Sequence, residues 1–143
     1  MKKLSLIILS IIMIIGLVGC SDKSTGSTEI EIDYGNSSIY SKEDMDSAIK
    51  QIKKEFDSWK GFEHKTLRYY SDEECNSENI KWLNQIEVKG KKEPFTQCIV
   101  FESSFHTPQE PTEGFEGNQD YSGWKWWLAR SEGGEWVLVT WGY

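Results

Sequence analysis

Catalytic chemistry has little to work with in this sequence. Only two histidines occur, His64 and His106, and there is no Gly-x-Ser-x-Gly elbow, no His-Glu-x-x-His zinc motif and no glycine-rich phosphate loop. Those absences remove familiar signatures of hydrolases, zinc proteases and nucleotide enzymes. Positive charge is also scarce: 16 Lys and Arg stand against 23 Asp and Glu in 143 residues, a net charge of −7. Such a surface is a poor partner for nucleic acid, whose binding rests on neutralised phosphates. There is no internal repeat, and the one long apolar run is confined to the beginning of the chain.

That run has the parts of a secretory signal. Lys2 and Lys3 form a positive start, Leu4 to Val18 is apolar apart from Ser5, Ser10 and Gly16, and Gly19 is a small residue at the cleavage point. As a helix it spans roughly 22 Å, short of a hydrocarbon core about 30 Å thick, so a cleaved signal is favoured over an uncleaved spanning anchor. Leu17-Val18-Gly19-Cys20 fits the lipobox of bacterial lipoprotein precursors. The expectation is a diacylglyceryl group on Cys20 and a mature protein held on the outer face of the cell membrane, with residues 1–19 removed. Losing Lys2 and Lys3 leaves 14 basic and 23 acidic side chains, a net charge of −9. An anionic membrane surface repels that charge, which suits a domain kept clear of the bilayer on a tether.

With Cys20 assigned to lipid, two of the three cysteines remain, Cys75 and Cys98. A bridge between them would close a loop of about 23 residues, a stabilisation of roughly 3 kcal/mol. Two separate free thiols are the alternative.

Residues 20–38 are polar and rich in Ser, Thr and Gly, with a brief alternation at Ile30 and Ile32. They read as the lipidated cysteine and a flexible tether with a reach of about 23 Å. Residues 39–143 read as one α+β domain. Ser41 caps a helix over 42–59, where Met45, Ala48, Ile49, Ile52, Phe56 and Trp59 share one apolar face and Gly61 supplies the stop. A strand follows at 66–70, then a shorter helix at 77–86 and a long strand at 95–105. Residues 106–122 carry two prolines and no periodicity, so they read as a long loop.

The chain ends in a tryptophan-rich hairpin, 124–130 and 136–143, around Gly133-Gly134. A two-residue turn would set Arg130 opposite Val137 and Trp126 opposite Trp141. One face then carries Trp124, Trp126, Leu128, Val137, Val139, Trp141 and Tyr143. The other face, with Trp127, Ala129, Trp136 and Leu138, is also partly apolar and asks for a second cover or a ligand.

Several runs together are familiar: Tyr-Ser-Lys-Glu-Asp at 40–44, Trp-Lys-Gly at 59–61, Tyr-Tyr-Ser-Asp-Glu-Glu at 69–74, Glu-Ser-Ser-Phe at 102–105, and an ending with Trp-Lys-Trp-Trp-Leu-Ala-Arg, Gly-Glu-Trp and Thr-Trp-Gly-Tyr. With the lipobox, they resemble a family of lipoproteins of clostridia and related Gram-positive bacteria. The resemblance covers most of residues 40–143. It implies helices packed on a curved antiparallel sheet, similar to the NTF2-like or cystatin-like group. The chain departs from that pattern at Phe62 and in the His-Thr-Pro-Gln-Glu-Pro run at 106–111.

An NTF2-like cavity can host an Asp/His pair for proton transfer, and His106 near Glu102 is the candidate the sequence offers. A surface histidine at a loop start is the plainer reading. Glu110, Glu113, Glu116 and Asp120 share one loop, but their spacing is not that of a calcium loop, so no metal and no cofactor is expected. The tryptophans could stack on sugars or peptides; Trp127 and Trp136 are the pair to inspect for a ligand cleft. The favoured function is a non-catalytic domain that binds an extracellular ligand or protein. A small NTF2-like cavity enzyme and a structural or assembly role in the cell envelope are the alternatives.

Overall fold

The structure is a computed structural model that describes residues 29–112 and 114–143. The signal segment and Cys20 therefore lie outside the described residues, as does Glu113. The elements run β1 (Glu31–Asp33), α1 (Lys42–Phe56), β2 (Glu63–Tyr69), a 3₁₀ turn at Asp72–Glu74, α2 (Ser77–Gln85), β3 (Gln97–His106), β4 (Asp120–Arg130) and β5 (Val137–Gly142). The fold class is α+β. No helix among the described residues is long and apolar enough to cross a membrane.

The five strands form one sheet in sequence order. It is mixed, where an antiparallel sheet was expected: β2 to β5 pair antiparallel, but β1 pairs parallel to β2. Strand, helix and next strand make a crossover, which returns the chain to run alongside in the same direction. The presence of β1 also corrects the boundary at residue 38. Ile32 pairs with Leu67. Ser38 donates its backbone N–H and its hydroxyl to Asp72, each at 2.8 Å, and Tyr34 donates to Asp46 at 2.6 Å. The stretch from Glu31 to Ser38, read as tether, belongs to the domain.

Helix α1 starts at a capping box in which the Ser41 hydroxyl accepts from Asp44 N–H and the Asp44 carboxylate accepts from Ser41 N–H. Its apolar face buries Met45, Ala48, Ile49, Ile52 and Phe56 against Leu67, Ile99, Phe101, Phe105, Trp126 and Leu128. The opposite face of the sheet is covered by α2. Leu83 is fully buried there with Cys98 and Ala129, and Phe95 closes the cluster. Asn84 fastens α2 by accepting from Phe95 N–H at 2.8 Å and donating to its carbonyl at 2.9 Å. The second cover that the apolar hairpin face calls for is this helix.

Pairing of β4 with β5 differs from the simple hairpin register. Trp126 faces Trp141, but Ala129, and not Arg130, faces Val137, and the connection runs over residues 131–136. The register shifts between Trp127 and Leu128, where β5 carries one extra residue. A bulge of one residue moves everything beyond it to the other face. Val137 and Val139 accordingly pack on the α2 side, and Leu138 packs on the α1 side.

Candidate functional site

His64 and Ser103 make the best-defined polar cluster in the interior. The extra residue in β2, Lys65, turns His64 toward α1, where Ser103 already lies by the alternation it shares with Ile99, Phe101 and Phe105. His64 Nε2 is 2.7 Å from Ser103 Oγ, and Trp126 Nε1 donates to the same oxygen at 2.7 Å. The imidazole stacks on Phe56 with ring centres 4.1 Å apart. Burial, reinforced by the charge of Lys53, pushes the His64 pKa down to about 4, so the ring is neutral at neutral pH. A serine beside a neutral histidine has the form of a nucleophile and its base. Here both are closed in by Phe56 and Trp126, with His64 6% and Ser103 2% exposed, so the cluster serves to satisfy buried polar groups. His64 Nδ1 has no hydrogen-bond partner among the described residues.

His106 sits at the end of β3 but is not joined to Glu102. Its Nδ1 lies 2.9 Å from Asp120 and its Nε2 lies 3.2 Å from Asn118 Oδ1. These bonds, led by that to Asp120, raise its pKa above the ordinary histidine value. Glu102 instead receives the Arg68 guanidinium at 3.0 Å. Both candidates are engaged separately on the surface. The acidic loop assembles no cluster of three or more potential metal ligands among the described residues. Thr107, fully buried, pins this loop: its hydroxyl donates to Glu116 O and accepts from Gln119 N–H.

Trp127 and Trp136 do not share a cleft. Trp127 is on the α2 side, edge-on to Trp82 at 5.1 Å. Trp136 is buried on the α1 side, edge-on to Tyr40 at 5.4 Å and covered by the Arg130 guanidinium at 4.2 Å. The sheet lies between them.

Cys75 and Cys98 are free thiols. They nevertheless share one cluster: Cys75 packs against the buried group that holds Cys98, and Cys98 Sγ reaches Glu74 O at 3.6 Å. Tyr69 Oη is 3.5 Å from Cys75 Sγ.

One arrangement was not singled out from the sequence. Beyond the last turn of α1 the sheet continues uncovered by helix, and aromatic rings fill the space. Trp59 packs against Phe115, Trp124 and Trp141 at ring-centre distances of 5.7, 6.0 and 6.4 Å. Tyr143 lies edge-on to Trp124 at 5.3 Å. Trp141 is 40% exposed and Tyr143 78%, and Trp124 Nε1 is buried without an acceptor among the described residues. The signal was present: strand alternation puts Trp124, Trp126, Trp141 and Tyr143 on one face. What it lacked was the end of α1 at Phe56, which leaves the last part of that face without a helix.

No protein-family model, curated protein or solved structure matches the chain.

Proposed function

We propose that this chain is a lipid-anchored extracellular binding domain, held by Cys20 on the outer face of the cell membrane, which takes a neutral ligand with flat apolar faces at the aromatic end of its sheet. The observation that carries the reading is the continuity of the exposed Trp141 and Tyr143 rings with the packed Trp59, Phe115 and Trp124 rings. Rings held rigidly from behind lose little freedom on binding, which is why aromatic side chains make effective contact surfaces. Trp124 Nε1 adds a donor that has no acceptor within the described protein. Sugar rings and peptide segments both have this chemistry. The mature charge of −9 favours neutral or basic ligands over anionic ones. A helix laid on the sheet is also in keeping with an NTF2-like or cystatin-like domain of the clostridial lipoprotein type.

The cavity-enzyme alternative has weaker support, because His106 and Glu102 hold separate partners on the surface. The test is co-sedimentation of the full chain, in detergent, with purified peptidoglycan. Trp141→Ala combined with Tyr143→Ala should reduce the bound fraction at least tenfold and leave the melting temperature nearly unchanged. Equal binding by the double variant, or none by the wild type, would reject the site. Separately, Cys20→Ser should abolish incorporation of labelled fatty acid.

A further inference from the structure

We propose that Cys75 and Cys98 are a reversible dithiol–disulfide pair whose oxidation fastens the N-terminal end of α2 to β3. The two residues come from segments 23 positions apart and are packed into one cluster under α2, where Cys98 is fully buried and Cys75 is partly accessible. Cys98 Sγ lies 3.6 Å from the carbonyl of Glu74, the residue adjoining Cys75, so the backbone of the 3₁₀ turn is already against β3. Cys75 Sγ has Tyr69 Oη and Ser71 O, both at 3.5 Å, as its other neighbours.

The arrangement gives the two sulfurs different parts. Hydrogen bonding from Cys98 lowers the Cys75 pKa, opposed by burial and aided by Tyr69, while the same contact and burial raise that of Cys98. Cys75, partly exposed and the more acidic, is the sulfur that meets an incoming disulfide. Its thiolate forms a mixed disulfide with one sulfur of a disulfide-bearing oxidant, a protein oxidoreductase or oxidised glutathione, and the other sulfur leaves as a thiol. Cys98 then gives up its proton and attacks Cys75 Sγ, releasing the second thiol. The pair loses two protons and two electrons, and the oxidant's disulfide gains them.

The consequence falls on α2. The helix has nine residues, too few to be stable by itself, and depends on what holds it to the sheet. Its C-terminal half is fixed by Leu83 and by the two bonds of Asn84 to Phe95. Toward its other end Ile80 packs on the same cluster, and ahead of the helix Cys98 Sγ on β3 reaches Glu74 O, next to Cys75. A disulfide there closes the 75–98 loop and holds the cover over Cys98, Ala129 and Trp127 at both ends.

The purified full chain is incubated with oxidised glutathione, alkylated, digested and mapped by mass spectrometry, with amide exchange followed over residues 77–85. Expected are a linked Cys75–Cys98 peptide, a rise of about 10 °C in melting temperature and slower exchange confined to α2. Cys98→Ala should instead retain glutathione on Cys75. Separately alkylated cysteines, or glutathione persisting on Cys75 in the wild type, would overturn the pair. A linked peptide without slower exchange in 77–85 would overturn the fastening of α2.

Discussion

Lowering the pH from 7 to 5 should destabilise this domain through His64 alone among the buried groups with a shifted pKa. In the unfolded chain His64 titrates near 6.5, and in the folded chain burial holds it down to about 4. Between those values the unfolded chain binds a proton that the folded one refuses, so stability is complete above about pH 6.5 and is lost as the pH falls toward 4. The difference amounts to about 2 kcal/mol at pH 5 and about 3 kcal/mol at pH 4. Near pH 5 this corresponds to a fall of about 8 °C in melting temperature.

The other titrating groups act in different windows. Asp44, Asp46, Asp72 and Asp120 have pKa values lowered from 3.8, so their contributions are lost only at pH near or below that. His106 has a raised pKa, so its contribution is present below 6.5 and is lost as the pH rises through its folded value. Thermal denaturation from pH 7 to 4.5, for the wild type and His64→Gln, isolates the effect. The glutamine retains a polar group for Ser103 but does not titrate, so its curve should lack the fall between pH 7 and 5 and keep only the small gain that His106 contributes on acidification. An unchanged wild-type melting temperature over that range, or an NMR titration placing folded His64 near 6.5, would refute the reasoning.

Ser103→Ala should cost about 2–4 kcal/mol in urea denaturation, because it strips a partner from both His64 Nε2 and Trp126 Nε1 in a buried setting. Arg130→Met keeps most of the apolar stem but removes the bonds to Asp44 at 2.8 Å and Gln97 at 2.6 Å and the cation over Trp136. Because the Asp44 pair is partly exposed, the loss should be about 1–2 kcal/mol, falling as salt is raised.

The sequence by itself determined those features that depend on neighbours along the chain. Ser41 could be read directly as the cap of a helix that begins at Lys42, although the helix stops at Phe56 and not at residue 59. Hydrophobic period alone placed Leu83 of α2 and the buried run of β3. Tertiary structure decided what depends on pairing across the sheet. Ile30 and Ile32 look like a brief alternation in a polar segment until β2 supplies hydrogen-bonding partners, and a three-residue strand has no local signal strong enough to announce itself. One extra residue in β5 sent Val137 and Val139 to the α2 face, and no composition rule locates a bulge. The same dependence governs the candidate sites. The sequence supplied aromatic rings and two thiols, but only the sheet could put Trp127 and Trp136 on opposite faces, bring Cys75 to Cys98, and leave Trp141 and Tyr143 beyond the end of α1. A side chain's identity is local, whereas its neighbours and exposure are fixed by strands whose register spans distant parts of the chain.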